Sequence, residues 1–286
     1  MNIRTPKPDW LKIKLPAGEG FAEVQKLMRE QDLHTVCSSA RCPNQGECWS
    51  NRTATFMILG DACTRNCTFC AVDSAKPGKL DPNEPERVAE SVKKLGLKYT
   101  VITSVTRDDL PDGGAGIFAR TVQAIRSVAP ECRIELLIPD FGGQKSSLQK
   151  VSDTNPDVLG HNLETVPALY RKVRPQAIYQ RSLDVLRWTV ENGIRSKTGL
   201  MLGLGESRAE LIQVFREIIE TGCKLMTLGQ YLQPTKRHHA VVRYVPPGEF
   251  DELAEIGRRM GFDHIEAGPL VRSSYRAHQQ VDASLR

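Results

Sequence analysis

The chain has 286 residues, 40% hydrophobic, 26% charged and 6% aromatic, the composition of a globular protein able to bury a core and neither fibrous nor disordered. Its 39 Lys and Arg against 34 Asp and Glu leave a formal charge of +5 scattered along the sequence, without the basic block or aromatic interleaving of a nucleic-acid binder. No run approaches the roughly 18 consecutive apolar residues of a membrane helix, and residues 1–16 carry charges but no apolar signal-peptide core, so the expectation is a cytoplasmic protein with no membrane partner.

From the N-terminus, the first regular element is a short helix around Phe21 to Arg29, in a segment of about 50 residues that otherwise carries no strand–helix unit. Cys37-x4-Cys42-x5-Cys48 follows, then a strand over Thr53 to Leu59 leads through Gly60-Asp61-Ala62 into Cys63-x3-Cys67-x2-Cys70. Six of the eight cysteines therefore fall within 34 residues. A chain of this size in a reducing cytosol needs no disulfide framework, so metal binding is the better reading. The Cys63 group offers three ligands in one tight loop, with no fourth cysteine or histidine close in sequence to complete a zinc site. Iron–sulfur clusters are held by thiolates, normally four, so three suggest a cubane with one iron open to another ligand. The Cys37 group reads as a second site, for which zinc closed by a remote fourth ligand is the competing reading.

Beyond Cys70 the chain alternates. Glu86 to Leu95 places Val88, Val92 and Leu95 on one helical stripe with Gly96 as its stop. Strands over Tyr99 to Val105, Cys132 to Ile138, Asp157 to Gly160, Thr198 to Leu202 and Leu225 to Gln230 show little polar alternation, as buried parallel strands do. Helices are predicted around Ser146 to Val151, after a cap at Ser207 with Leu211, Phe215, Ile218 and Ile219 on one face, and over Glu249 to Met260 before a last strand, Asp263 to Glu266. Polar or glycine-rich segments follow the strands, among them Thr106-Arg107-Asp108-Asp109, His161-Asn162-Leu163-Glu164 and Gly203-Leu204-Gly205-Glu206. This alternation predicts an α/β fold with a parallel sheet, doubly wound or curled into a barrel, and brings those segments to one broad site at the strand ends. Cys132 and Cys223 read as small packed residues. Lys236-Arg237-His238-His239 reads as a solvated loop, with contact to an acidic carrier domain as the alternative.

Cys63-x3-Cys67-x-Phe69-Cys70 has the C-x3-C-x-Φ-C form of radical S-adenosylmethionine (SAM) enzymes. The Cys37 triad and Arg272-Ser273-Ser274-Tyr275 are in turn similar to motifs of the lipoyl synthase family within that superfamily, and the matching motifs run from Cys37 to Tyr275. The resemblance implies a partial (β/α)6 barrel over 51–267, an N-terminal extension over 1–50 carrying the auxiliary motif, and a C-terminal segment over 268–286, both extensions covering the mouth. It implies two [4Fe-4S] clusters and SAM as cofactors. Cys63, Cys67 and Cys70 would hold the catalytic cluster, whose free iron chelates SAM. Cys37, Cys42, Cys48 and a serine, Ser274 in preference to Ser273, would hold the auxiliary cluster. Gly199-x-Met201-x-Gly203-x-x-Glu206 matches the family's G-x-I-x-G-x-x-E pattern with Met201 in place of isoleucine, which puts Gly203 and Glu206 beside SAM. Asn162 and Glu164 are expected near the ribose, with an N-cap as the competing role for Asn162. Arg174 is expected on the SAM carboxylate, with a surface arginine as its competing reading. The G-G-E found after the second strand of many radical SAM enzymes is absent; Ser104, Arg107 and Asp109 stand near that place. The implied reaction inserts two sulfur atoms at C6 and C8 of an octanoyl-lysine, with the auxiliary cluster as sulfur donor. The implied partners are octanoylated lipoyl carrier domains (2-oxoacid dehydrogenase E2 or glycine cleavage H protein), an electron donor and an iron–sulfur repair carrier. The rival readings are another radical SAM enzyme with an auxiliary cluster, a non-enzymatic iron–sulfur electron carrier, and a zinc-stabilised binding module.

Overall fold

The computed structural model describes residues 7–13, 19–51 and 53–283; most of the residues 1–16 read above, and the last three residues of the C-terminal segment, lie outside them. Eight strands form one sheet in chain order: β1 (His34–Thr35), β2 (Thr55–Ile58), β3 (Tyr99–Ser104), β4 (Arg133–Leu137), β5 (Val158–Gly160), β6 (Ser196–Leu202), β7 (Leu225–Gln230) and β8 (His264–Gly268). β1 runs antiparallel to β2, and every other neighbouring pair is parallel. A doubly wound sheet would reverse its strand order at a switch point. Here each strand lies beside its predecessor, so all crossovers step the same way, as in a barrel. The sheet is curved enough for β4 and β6 to meet across β5: Lys197 Nζ donates to Glu135 Oε1 at 2.8 Å, both side chains being 2% exposed.

The helices follow from local chemistry. The helix Glu84–Lys94 ends where Gly96 adopts φ +62°, with Leu97 N donating to Val92 O and Gly96 N to Lys93 O, a Schellman stop only a residue at ease with positive φ supplies cheaply. Arg208–Glu220 starts with a capping box: Ser207 Oγ accepts from Glu210 N while the Glu210 carboxylate accepts from Ser207 N. The expected helix near Ser146 spans Lys145–Ser152, and Pro247–Met260 precedes β8. Two further crossover helices, Ala115–Val128 and Tyr179–Glu191, complete the alternation. Among the described residues no helix is long and apolar enough to cross a membrane.

The N-terminal segment holds more structure than its sequence suggests. Besides Glu19–Glu30 it contains the short helices Val36–Ser39 and Gln45–Ser50, which carry Cys37 and Cys48, and it adds β1 to the sheet edge. Val24, Met28 and Trp49 share one hydrophobic cluster with Phe56, Ile58 and Phe118. Gly20 permits this packing, because a Cβ there would lie 2.4 Å from Ser50 O. The C-terminal segment leaves β8 at the mouth, where Asn44 Nδ2 donates to Leu270 O at 2.7 Å. It then runs the length of the sheet: Arg133 Nη1 pairs with Asp282 at 2.7 Å, and the rings of Tyr99 and His278 lie 6.5 Å apart, at the opposite ends of β3 and β4 from the mouth. The expected cover over the mouth is thus the part around Arg272, and the helix Ala277–Ala283 closes the far end.

Candidate active site

The turn after β2 is set by Leu59 and Gly60, both at positive φ, whose N–H groups donate to the buried Glu84 carboxylate. Ala62–Cys63 then pairs with Asp73–Ser74, and Thr64 N donates to Thr106 O, so the cysteine loop begins against the loop that follows β3. Arg65, inside the loop, is buried. Its Nε and Nη2 donate to the two Asp108 oxygens at 2.7 and 2.8 Å, and Nη2 also reaches Asp140 Oδ1 at 2.6 Å. Burial would raise the Asp140 carboxyl, yet Arg65 outweighs it and holds it near 2. The far side of the loop is pinned by Thr68, whose N–H donates to Val173 O, and by His238, whose Nε2 donates to Cys70 O at 2.8 Å. His239 N donates to Thr68 O, and its ring donates to Leu204 O. The reading of Lys236 to His239 as a solvated loop therefore holds only for Lys236 and Arg237; the two histidines are tied into the site because their backbone crosses the cysteine loop. Burial raises the thiols of Cys67 and Cys70, the latter to about 12, so they favour the thiolate only when a bound cation compensates.

The loops after β5 and β6 face this triad. Glu164, at φ +67°, bridges to β6 through Glu164 N to Gly199 O and Met201 N to Glu164 O. A Cβ on Gly199 would fall 2.9 Å from Asn162 Oδ1, so this glycine makes room for Asn162, whose Nδ2 donates to Glu164 Oε1 at 3.1 Å. Asn162 caps no helix: the next helical turn, Pro167–Leu169, starts after Val166 without a side-chain cap. Burial raises the Glu164 carboxyl, opposed by Arg174, Asn162 and Arg272. Arg174 is buried and not a surface residue. Its Nη1 donates to Asn162 O, Leu163 O and Tyr170 Oη, while its Nε is buried without a partner, leaving a donor free for an anion beside Cys67.

Glu206, expected beside the cofactor, braces its own turn. Its carboxylate accepts from the N–H groups of Gly203, Leu204 and Gly205 at 2.6, 2.9 and 3.1 Å, so both oxygens hold the turn itself. Gly203 is also structural, since a Cβ there would lie 2.3 Å from Gln230 Nε2 and 2.4 Å from Arg243 O. Glu206→Ala leaves three N–H groups without an acceptor and should lower unfolding stability by about 3 kcal/mol in urea titrations, with Glu206→Gln recovering part of the loss. Arg107 is likewise a clamp, bonded to both Asp109 oxygens and to Leu59 O and Gly78 O, whereas Ser104 keeps a buried hydroxyl with no partner among the described residues.

His161 is a buried hydrogen-bonding residue. Its Nδ1 donates to Ile138 O and its Nε2 lies 3.0 Å from Ser182 Oγ, a hydroxyl from which the neutral ring accepts. Burial, with help from Arg174, depresses it from 6.5 to about 4. The unfolded chain then binds the proton more tightly, so stability present above about pH 6.5 is lost as pH falls towards 4, on the order of 3 kcal/mol. Urea midpoints should decline over that window, and His161→Asn should flatten the decline.

The Cys37 triad surrounds a cavity of about 110 Å³, where about 10–15 Å³ would take one water molecule. Its walls include Cys37, Cys42, Cys48, Arg272, Ser273 and Ser274. Thr55 Oγ1 donates to Ser274 Oγ at 2.8 Å, which places that hydroxyl at the wall. Tyr275 Oη and Arg276 Nη2 both donate to Glu47, beside Cys48, at 3.0 and 3.1 Å. Burial raises Cys37 to about 11 and Cys48 to about 12, with neighbouring thiols adding to it, and raises Cys42 as well. Among the described residues no three His, Cys, Asp or Glu side chains converge closely enough for a single metal ion. A thiol-lined cavity of this size, with a hydroxyl at its wall, fits an iron–sulfur cluster. Arg272, in the wall of this cavity, is near enough to feel the charges of both Cys42 and Glu164. Cys132 and Cys223 are packed in the two main hydrophobic clusters, just before β4 and β7 begin and so at the ends of those strands opposite the mouth.

Arg65, Glu84 and Thr55 have no predicted role in the sequence, and His238 and His239 enter it only as part of a solvated loop. Only Arg65 had a local signal, its place inside the cysteine loop.

Residues 57–218 match the profile of the Radical SAM superfamily, and residues 2–42 match the N-terminal domain of lipoyl synthase of the radical SAM family. The chain is 53% identical over 285 residues to the lipoyl synthase of Rubrobacter xylanophilus, covering 99% of this chain and 89% of that one. It is 54% identical to that of Shouchella clausii, covering 96% and 90%, and 50% identical to that of Caldicellulosiruptor saccharolyticus, covering 97% and 98%. Among solved structures it is similar in fold to Streptococcus suis SuiB bound to S-adenosylmethionine, with TM-score 0.56 at 14% identity over 84% of this chain and 56% of that one. HydG, a maturase of the [FeFe]-hydrogenase, gives TM-score 0.55 at 16% identity over 71% and 48%. Identity of this order across nearly the whole length, joined to a sheet of parallel strands in chain order, shows that the chain belongs to the lipoyl synthase family of radical SAM enzymes.

Proposed function

We propose that this enzyme inserts two sulfur atoms at C6 and C8 of a protein-bound octanoyl-lysine, with Cys63, Cys67 and Cys70 holding the catalytic [4Fe-4S] cluster and Cys37, Cys42, Cys48 and Ser274 the auxiliary one. The observation that carries this reading is the Cys37 cavity, lined by three thiols, Ser274 and Arg272. Once bound, the two clusters supply the electron that cleaves SAM to a 5′-deoxyadenosyl radical and the sulfur that enters the substrate.

The chain's own residues bind, orient and exclude water. Arg65, Thr68 and His238 fix the cysteine loop from three sides. The unpaired Arg174 Nε suits the SAM carboxylate, and the Asn162–Glu164 pair suits ribose hydroxyls, Glu164 as acceptor and Asn162 in either role. Gly203 and Glu206 shape the turn against which the cofactor lies. Ser274 offers a hard oxygen, a more exchangeable iron ligand than thiolate, which suits a cluster consumed during reaction. Housing both triads in one mouth places the substrate carbon next to both reactive groups with water displaced. Octanoylated E2 or H-protein domains, an electron donor and an iron–sulfur repair carrier are the partners this chemistry requires, in a cytoplasmic setting.

The test is the mass of an octanoyl-lysyl peptide after anaerobic incubation with reconstituted protein, SAM and dithionite. A gain of two sulfurs with 5′-deoxyadenosine formed is expected. SAM cleavage with an unchanged peptide would remove the proposed substrate.

A further inference from the structure

The outer flank of the Cys63 triad is built from two stretches of chain that contain no Asp or Glu, residues 165–183 and 231–248. They meet at one residue of the cysteine loop: Thr68 donates to Val173 O and, through its hydroxyl, to Lys172 O at 3.0 Å, and accepts from His239 N at 2.8 Å. Around that point Arg171, Lys172, Lys236 and Arg237 are exposed, and among the described residues none of the four has an ion-pair partner. The same stretches carry Ile178 and Val242, 50% and 60% exposed. Four unpaired cations with exposed aliphatic side chains are the make-up of an electrostatically steered docking surface for an acidic protein.

Position decides which acidic protein. Neither stretch contributes a residue to the Cys37 cavity, so a partner seated here adjoins the Cys63 triad alone. An acyl carrier must deliver its chain between the two triads, whereas an electron carrier needs only the outer side of the cluster it reduces. The His238 ring, at the edge of this surface, donates directly to the carbonyl of Cys70, so the surface is in bonded contact with the ligand loop. We propose that Arg171, Lys172, Lys236 and Arg237 dock an acidic one-electron carrier protein, an inference that rests on the proposed radical SAM activity. The carrier loses one electron. That electron is consumed with the breaking of the C5′–S bond of SAM, which yields neutral methionine and the 5′-deoxyadenosyl radical.

The experiment uses the full-length, cluster-reconstituted chain, SAM, and either dithionite or a reduced plant-type [2Fe-2S] ferredoxin, an acidic carrier, as reductant. Two double variants are made, Lys236→Glu with Arg237→Glu and Arg171→Glu with Lys172→Glu. At low salt each pair should slow ferredoxin-driven SAM cleavage about tenfold or more, with dithionite-driven cleavage unchanged. Calorimetry without SAM should show ferredoxin binding that weakens with salt in the unaltered protein and is lost in both variants. Unaltered ferredoxin rates and binding in the variants would overturn the proposal, as would an equal loss with dithionite, or loss of octanoylated carrier binding in place of ferredoxin binding. Failure of the unaltered protein to cleave SAM with dithionite would sink the radical SAM reading instead, and the calorimetry would still decide the docking.

Discussion

Cys37→Ala should abolish sulfur insertion while leaving SAM cleavage running. Cys37 sits on the short helix Val36–Ser39, in the wall of a cavity that shares no thiol with the Cys63 loop. Its removal takes one of three thiols from the auxiliary site and leaves untouched the contacts of Arg65, Thr68 and His238 that hold the catalytic loop. The substrate carbon can still lose hydrogen, so anaerobic assays of the variant should accumulate 5′-deoxyadenosine with no gain of mass by an octanoyl-lysyl peptide. Cys37 is buried, and the alanine costs about 1–3 kcal/mol in lost packing at most, so the fold survives. Equal loss of SAM cleavage would show that the two sites are not separable, and sulfur in the product would show that the donor lies elsewhere.

Cys67→Ala is expected to remove both readouts together. Cys67 is the middle thiol of its loop, beside Arg174 and Glu164 on the side where the cofactor's polar groups are expected. Two thiols cannot retain a cubane that already has one iron without a protein ligand. Neither 5′-deoxyadenosine nor thiolated peptide should form, while the iron content of the variant should fall by about half and not to zero, the Cys37 site being intact. Iron content unchanged by the substitution would overturn the assignment of this cysteine as a ligand.

Which parts of this site could be read from the sequence follows from where the constraint resides. The cysteine triads are legible because a cluster fixes the spacing of its ligands along the chain. The seven parallel strands are legible because burial on both faces selects apolar runs such as Thr55–Ile58 and Leu225–Gln230. The capping box at Ser207 is legible because cap and partner are three residues apart. β1 is not, because two residues carry no periodicity. Arg65 with Asp140, and Cys70 with His238, pair residues 75 and 168 positions apart, so the cysteine loop is marked in the sequence but its distant partners are not. Glu206 stands where its motif places it but turns its carboxylate onto its own backbone, a choice visible only in three-dimensional detail.

The C-terminal segment that meets the Cys37 cavity also sets an order of assembly. Asn44, Thr55 and Glu47 close onto Leu270, Ser274 and Tyr275 across separations of 226, 219 and 228 residues. During synthesis the Cys37 triad leaves the ribosome early and waits for nearly the whole barrel to be made before its wall is complete, whereas the start of the Cys63 loop has its strand and its Glu84 support within about 30 residues, and only its far side waits for His238. A cluster held by the Cys37 triad would therefore be loaded late, after translation, and for the length of that wait three thiols that the finished fold buries are open to oxidants and to stray metals.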